Sequence, residues 1–159
     1  VMEFMPCGTL ATVLKQFSKL PMSSVQRYLR DILRGLRYLH SNQVLHRDIK
    51  PENMLLEKTG QCKLSDFGTA VLLRASRSDD LPAAEGGGQE IVGTPYYMAP
   101  EVVKGEAGAP ADVWAIGVTC QQLLTGDLPF QYTNPLAVMW HLAALAEPPP
   151  VPDSLPPEA

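Results

Sequence analysis

The chain has 159 residues, of which 45% are hydrophobic and 19% charged, a balance typical of one globular domain with a substantial core. Thirteen lysines and arginines against seventeen aspartates and glutamates give a formal charge of −4, so no basic surface suited to nucleic acid is expected. No apolar run approaches the roughly 18 residues of a membrane span. The three cysteines are widely separated and form no C-x-x-C pair, which predicts neither a zinc site nor a disulfide framework and favours a reducing, cytoplasmic location.

The first strong element in chain order is an amphipathic helix. Apolar residues recur at helical spacing over 25–39, and Ser23 with Gln26 three positions later predicts an N-cap. The opposite face carries four arginines, which we interpret as a solvated face rather than a phosphate-binding stripe: Arg27, Arg30, Arg34 and Arg37. His40 and His141 lie on helical patterns without a second ligand at metal spacing, and we interpret both as packing or surface residues.

Small strands are predicted next. Three short apolar runs have strand-like composition: Val44–Leu45, Met54–Leu56 and Cys62–Leu64. A turn signal at 57–60 joins the last two runs into a hairpin. Asp48 and Asn53 precede this hairpin and Asp66 follows it, so the hairpin should return Asp66 towards Asn53.

The second half of the chain alternates irregular and helical segments. Residues 74–90 are rich in Ser, Asp, Pro and Gly and predict a flexible loop. A second helix is predicted over 111–125, ending at Gly126, and a third begins with Asn134 as N-cap and Pro135 in its first position. The buried face predicted for this third helix contains Met139, Trp140, Leu142, Ala143 and Leu145. The proline-rich end predicts an irregular connection.

Several short motifs occur in a fixed order: His46-Arg47-Asp48, then Asn53, then Asp66-Phe67-Gly68, then Met98-Ala99-Pro100-Glu101. Phosphoryl transfer needs divalent cations to neutralise charge and a carboxylate to orient the incoming hydroxyl. The two aspartates and the asparagine supply the required oxygen atoms. Taken singly, each is better explained as an ordinary turn residue. The ordered set is what favours a phosphoryl-transfer site.

With these motifs in order, the chain resembles the eukaryotic protein kinases over residues 1 to about 146. The segment from Asp112 to Gly117 is similar to the buried helix that follows A-P-E in that family. Residues 93–101 are most similar to the branch containing the MAP kinase kinase kinases and the mitosis-related kinases. The resemblance implies an α+β, predominantly helical fold with a small β-hairpin layer at the cleft. It also implies ATP and Mg²⁺ as cofactors and the Ser or Thr hydroxyls of proteins as acceptors.

The resemblance divides the chain into named segments. They are a hinge (1–10), a catalytic loop (46–53), an activation segment (66–101), a helical subdomain (102–146) and a proline-rich end (147–159). No G-x-G-x-x-G loop and no V-A-I-K-like strand lysine occur in the sequence. We therefore interpret the chain as the large lobe of a kinase without its small lobe, a fragment or truncated gene model. A complete short protein is the alternative. The residues do not indicate an oligomeric state.

The resemblance assigns roles to residues of the catalytic loop and the segments around it. Asp48 corresponds to the aspartate that aligns the acceptor hydroxyl and takes up its proton. Lys50 resembles the lysine that neutralises the phosphoryl group in serine/threonine kinases. Asn53 and Asp66 correspond to the Mg²⁺ ligands, and both also face the nucleotide phosphates. Thr94 matches a threonine that hydrogen-bonds the aspartate and the lysine, in the loop that receives the residue after the acceptor.

Residues near the amino end correspond to the adenine pocket. Met2 corresponds to the position that lines the space behind the base. Glu3 and Met5 correspond to positions whose backbone groups hydrogen-bond the base, and Thr9 to one that approaches the ribose. Leu55 resembles the apolar floor of this pocket, and a core leucine of the strand is a compatible interpretation. Residues in supporting positions are His46, Arg47, Phe67, Gly68, Glu101 and Asp112, the last as a buried carboxylate that accepts backbone N–H groups of the catalytic loop.

The sequence leaves more than one interpretation open for how the protein is regulated and for whether it is catalytically active. Arg47 corresponds to the partner of a phosphate on the activation segment, where Ser76 and Ser78 offer hydroxyls. Many relatives carry Ser or Thr just before Gly-Thr-Pro, whereas this chain has Gln-Glu-Ile-Val, so Glu90 is either a constitutive charge or an ordinary surface acid. Cys7 is either a reactive thiol facing the cleft or a small residue in a turn. A non-catalytic binding module is the competing functional class.

Overall fold

A computed structural model of the chain describes residues 5–73, 91–106, 108–130, 132–145 and 149. Within them the helices are α1 (Leu10–Phe17), α2 (Met22–Ser41), α3 (Pro100–Val103), α4 (Ala109–Thr125) and α5 (Pro135–Ala144). The strands are β1 (Val44–Leu45), β2 (Met54–Leu56), β3 (Cys62–Leu64) and β4 (Val71–Leu72), and single 3₁₀ turns cover Pro51–Asn53 and Pro95–Tyr97. The predicted loop at 74–90, the proline-rich end apart from Pro149, and Met2 and Glu3 lie outside the described residues.

The long helix α2 is amphipathic, as its sequence period predicts. Val25, Ile32 and Leu36 are buried, and its four predicted surface arginines are exposed. The N-cap prediction was wrong: the helix begins at Met22 after Pro21, and Ser23 already lies in its first turn. A tertiary hydrogen bond fixes the entry, since the Leu20 N–H donates to the Leu123 carbonyl at 2.7 Å just before the helix.

The predicted hairpin is present. Strands β2 and β3 pair antiparallel, with Met54 opposite Leu64 and Leu56 opposite Cys62. Strand β1 pairs antiparallel with β4, which the sequence did not predict. Both residues of β4 are exposed, and two residues are too short to show an alternating pattern.

The ends of α4 and α5 follow their sequence signals. Helix α4 ends at Gly126, which adopts φ +89°, and α5 begins after Asn134, whose side chain accepts from the Leu136 N–H at 2.9 Å. The start of α4 lies two residues earlier than predicted, at Ala109, because Pro110 is accommodated in the first turn.

The predicted buried face of α5 was partly wrong. Leu142 is fully buried, but Trp140 is 79% exposed and Ala143 is exposed, while Val138 fills the core instead. The sequence of α5 is apolar almost all round, so its hydrophobic period could not identify the face that packs inward.

The fold class is confirmed as predominantly helical α+β with small antiparallel sheets. The main core lies where α2 packs against α4 and the hairpin, and a second core lies beneath α5 around Phe130, Val138 and Leu142. Among the described residues, no helix combines the length and apolar character that crossing a membrane would require. The loop carrying Asp48 lies between β1 and the hairpin, and its Ile49 is buried in the main core.

Candidate active site

Asp48 lies on the loop between β1 and the Pro51–Asn53 turn, in a closed network with Lys50 and Thr94. The Lys50 Nζ lies 2.7 Å from Asp48 Oδ2, and the Thr94 hydroxyl donates to Asp48 Oδ1 at 2.7 Å. Lys50 also donates to the Thr94 hydroxyl oxygen at 2.7 Å. The hydrogen bonds that the resemblance implies for Thr94 are therefore present, across 46 residues of sequence.

The charge state of Asp48 follows from this network. Burial of the side chain raises its pKa, but the hydrogen bonds from Lys50, Thr94 and Asn53, together with the charge of Lys50, outweigh burial and hold the pKa below its ordinary value. Asp48 is thus a carboxylate at neutral pH. Such a group accepts a hydrogen bond from an incoming hydroxyl readily, and takes its proton only as the hydroxyl loses electron density.

Asn53 is buried and oriented by the same loop. Its Nδ2 donates to the Asp48 carbonyl at 2.8 Å and to Asp48 Oδ2 at 3.0 Å. The amide oxygen therefore points away from Asp48, and no group among the described residues donates to it. On the hairpin, the Ser65 N–H donates to the Asn53 carbonyl at 2.9 Å, which brings Asp66 next to this strand end.

Asp66 is exposed and has φ +59°, a backbone conformation that is uncommon for a residue other than glycine. Its Oδ1 accepts from the Gly68 N–H at 3.2 Å. Left-handed residues of this kind persist where surrounding contacts hold them, and they concentrate at functional sites.

The chemistry of this donor set fits Mg²⁺. An amide oxygen and a carboxylate are hard ligands, and Mg²⁺ commonly takes one or two protein oxygens and completes its shell with phosphates and water. The described residues contain no cluster of three or more histidines, cysteines, aspartates or glutamates arranged to hold a metal ion. Asn53 and Asp66 alone would thus leave most of the coordination shell to a phosphate-bearing ligand.

Asp112, in the first turn of α4, anchors the backbone that leads to Asp48. Its side chain is 2% exposed, Oδ2 accepts from the His46 N–H at 3.0 Å, and Oδ1 accepts from the Arg47 N–H at 2.9 Å. The His40 Nε2 lies 2.8 Å from Oδ2. The interpretation of His40 as a packing or surface residue was therefore wrong, because a partner 72 residues away leaves no signal in local spacing. His141 does pack, against Phe130 and Tyr132.

Two residues missed by the sequence reasoning tie the segment after β3 to the catalytic loop. The Thr69 hydroxyl donates to the His46 carbonyl at 2.9 Å, and the Thr69 carbonyl accepts from Arg47 Nε at 2.6 Å. The Ser65 carbonyl lies 3.0 Å from His46 Nε2. Both residues adjoin Asp66-Phe67-Gly68, and that proximity is the only sequence signal that could have found them.

Gly93 brings the segment that carries Thr94 against the catalytic loop. It has φ +112°, and a Cβ at this position would lie 2.5 Å from the Arg47 carbonyl oxygen. Only a glycine allows this approach, which explains why Thr94 can reach Asp48.

The remaining predicted site residues lie around this centre. Thr9 caps α1 by accepting from the Thr12 N–H and bridges to Leu55, so these two residues adjoin each other. Met5 is half-buried. Phe67 is 50% exposed with its ring centroid 5.2 Å from that of His46, and Gly68 is exposed.

Glu101 lies in the first turn of α3 and forms no ion pair within the part of the chain that the structure describes. Its backbone carbonyl accepts from the N–H groups of Lys104 and Glu106. Glu3 lies outside the described residues, and Cys7 is exposed.

The sequence profile described as the protein kinase domain matches residues 1–148 of this chain. The chain belongs to the protein kinase family. Similar proteins include a Dictyostelium discoideum protein named as a probable serine/threonine-protein kinase, 39% identical over 155 residues, which cover 97% of this chain and 23% of that protein. Mitogen-activated protein kinase kinase kinase 2 of Arabidopsis thaliana is 36% identical over 157 residues, 98% of this chain and 23% of that protein.

Mitogen-activated protein kinase kinase kinase 3 of Homo sapiens is 37% identical over 155 residues, 97% of this chain and 24% of that protein. This kinase-family chain thus spans about a quarter of the length of the curated relatives it matches.

Proposed function

We propose that this chain is the large-lobe part of a protein serine/threonine kinase, which transfers the γ-phosphoryl group of ATP to Ser or Thr hydroxyls of proteins. The observation that carries the proposal is the closed network of Asp48, Lys50 and Thr94 beside Asn53. Membership of the protein kinase family and the names of the similar proteins support it.

In the proposed reaction Asp48 accepts a hydrogen bond from the acceptor hydroxyl and fixes the direction of its attack. Lys50, held against Asp48 and Thr94, keeps a positive charge beside the phosphoryl group as its negative charge shifts. Thr94 joins these two side chains, and its segment lies next to the acceptor. His46, Arg47 and Asp112 support the loop through backbone contacts.

Mg²⁺ fits the oxygen donors of Asn53 and Asp66, and when bound it neutralises the charge of the phosphates. Asn53 would offer its amide oxygen, which its hydrogen bonds to Asp48 leave turned away from the loop. Asp66 would offer a carboxylate. Met5, Thr9 and Leu55 would face the adenosine end of ATP, since Thr9 and Leu55 adjoin each other at the start of α1.

The preference for Ser and Thr rests on Lys50 and Thr94, which the resemblance links to that branch. Two of the similar proteins described above are MAP kinase kinase kinases by name. The large-lobe assignment rests on the order of the motifs and on the absence of a glycine-rich loop and strand lysine from the 159 residues.

A phosphorylation assay tests this function. The full-length protein that contains this sequence should phosphorylate Ser/Thr peptides with MgATP, and Asp48→Asn should lower the rate about 10²- to 10⁴-fold, the range for losing a general base. Glu52→Gln is the matched control, because Glu52 is an exposed acid on the same loop. We expect the 159-residue chain alone to show no turnover. Equal rates for the wild type and Asp48→Asn would refute the assignment of Asp48.

A further inference from the structure

Ser65, the residue directly before Asp66, has no role in the proposed function, yet it joins the strand that leads to Asp66 to the catalytic loop. Its N–H donates to the Asn53 carbonyl at 2.9 Å, and its hydroxyl donates to the same carbonyl at 3.1 Å. Its own carbonyl lies 3.0 Å from the Nε2 of His46. Ser65 therefore contacts the catalytic loop through its N–H, its carbonyl and its side chain.

These contacts close a ring of hydrogen bonds around the candidate site. The Asp48 N–H donates to His46 Nδ1 at 3.3 Å, so the ring proton of His46 is on Nε2, which donates to the Ser65 carbonyl. The Nδ2 of Asn53 in turn donates to Asp48. Ser65 is thus the one member of this ring that lies outside the catalytic loop.

Asp66 depends on Ser65 for its position. The paired part of β3 ends at Leu64, so Asp66 lies beyond the ladder. Among the described residues, the Asp66 side chain forms one hydrogen bond, with the Gly68 N–H of its own turn. On the amino-terminal side of Asp66, Ser65 is therefore the residue that holds the chain against Asn53.

The hydroxyl of Ser65 adds a restraint that the backbone bond does not supply. A carbonyl oxygen has two lone pairs, so the Asn53 carbonyl can accept the N–H and the hydroxyl at once. One hydrogen bond fixes a distance but allows rotation about its own axis, and a second donor from the same residue restricts that rotation. The hydroxyl therefore fixes the direction in which the chain leaves Ser65 towards Asp66.

We propose that Ser65 is a positioning residue for the divalent cation: its hydroxyl keeps the Asp66 carboxylate and the Asn53 amide oxygen in place for one ion. Ligands that are ordered before binding lose less conformational entropy when the ion arrives, so a firmly held site binds more tightly. This role rests on the proposed function, in which these two residues would hold the metal. Within the described part of the chain, Ser65 hydrogen-bonds to neither the Asp48 nor the Lys50 side chain, so it acts on cation binding rather than on the transfer step.

The test measures the affinity of the full-length protein for Mn²⁺, in place of Mg²⁺, with saturating ADP, through the electron paramagnetic resonance signal of the free ion. Ser65→Ala removes the hydroxyl and leaves the backbone N–H, whereas Ser65→Thr keeps a hydroxyl. Ser41→Ala is the matched control, because the Ser41 hydroxyl also donates to a backbone carbonyl, that of Tyr38 at 2.9 Å, at the end of α2. The rate of peptide phosphorylation is measured alongside, at limiting and at saturating Mg²⁺.

We expect Ser65→Ala to weaken Mn²⁺ binding by about two- to tenfold, the range for losing one hydrogen bond between uncharged groups. Ser65→Thr and Ser41→Ala should bind the ion as the wild type does. The rate of Ser65→Ala should be low at limiting Mg²⁺ and return to the wild-type value at saturating Mg²⁺, because Asp48 keeps its contacts with Lys50 and Thr94.

Wild-type Mn²⁺ affinity in Ser65→Ala would overturn the proposal, and so would a Ser65→Thr variant that binds as weakly as Ser65→Ala. A rate that stays low at saturating Mg²⁺ would also overturn it, since the hydroxyl would then act on the transfer step. If Ser65→Ala does not fold, Ser65→Cys decides, because its thiol fills a similar space but donates weakly. Weakened Mn²⁺ binding by this variant supports the role, and wild-type binding overturns it.

The same measurements separate the role of Ser65 from the proposed function. A wild type that binds Mn²⁺ with ADP but phosphorylates no peptide would refute the proposed function, and the Mn²⁺ affinities would still decide the role of Ser65. A wild type that binds no Mn²⁺ would overturn both.

Discussion

At the scale of single residues, Asp48 combines two requirements that usually conflict. A carboxylate close to Lys50 is fixed in position and stays ionised, but the same contacts make it a weaker base. Thr94 adds to this effect, because its hydroxyl also donates a hydrogen bond to Asp48 and lowers the pKa of the carboxylate further. Asp48 is thus suited to orienting a hydroxyl more than to removing a proton early.

The lowered pKa of Asp48 predicts how its contribution to stability depends on pH. Because the pKa is lower in the folded chain than in the unfolded one, the contribution is complete at neutral pH and is lost as pH falls below about 4, through the folded pKa. Urea unfolding of the wild type and Asp48→Asn should show a constant difference in unfolding free energy between about pH 7 and pH 5, and a smaller one in more acidic buffer. A difference that grows on acidification would contradict the lowered pKa.

The residues of the candidate site were chosen from the sequence, but most of the contacts between them could not be predicted from it. The ordered motifs identify Asp48, Asn53 and Asp66 because each motif is local. His40 and Asp112 are 72 residues apart and join two helices through a single hydrogen bond, which no periodicity reveals. Thr69 also gives no signal in the sequence, since one of its contacts uses the His46 carbonyl and the other its own carbonyl.

At the scale of elements, long periodic segments and strong caps were predictable. Helix α2 shows its buried stripe over many turns, and the ends of α4 and α5 carry Gly126 and Asn134. Helix α1 was missed because its eight residues bury only Leu10 and Leu14, too few for a clear period. Tertiary contacts decide such short elements.

The meeting of the Gly93 segment with the catalytic loop yields a prediction at this scale. Gly93→Ala should destabilise the chain by about 1–3 kcal/mol beyond backbone strain, because a Cβ would lie 2.5 Å from the Arg47 carbonyl oxygen. Gly105→Ala is the matched control: Gly105 also has positive φ, +87°, but nothing lies within 4 Å of its added Cβ. Thermal unfolding of both variants measures the difference. Equal destabilisation would show that the close approach is unimportant.

At the scale of the whole molecule, the core beneath the loop determines whether the site exists at all. Ile32 is fully buried where α2 meets α4, and Leu33 beside it on the same helix is 47% exposed. Ile32→Ala should lower the unfolding free energy by about 2–5 kcal/mol, and Leu33→Ala by only about 0.5 kcal/mol. Chemical denaturation measures both. Similar losses for the two variants would mean that the core lies elsewhere.

The overall fold class follows from the family resemblance together with the helical periods. What sequence could not supply is the placement of α5, whose apolar residues face both inward and outward. Val138 and Leu142 pack against the second core, whereas Trp140 faces solvent. Packing against neighbouring segments, and not the helix's own pattern, selected the inner face.

We propose above all that Asn53 and Asp66 together hold a divalent cation with a nucleotide beside Asp48. Paramagnetic Mn²⁺ in place of Mg²⁺ tests it directly in the full-length protein, through NMR line broadening in the presence of ADP. We expect the signals of Asn53 and Asp66 to broaden first, and Asp66→Asn to weaken the broadening. Broadening centred on other residues, or none at these two with nucleotide bound, would contradict it.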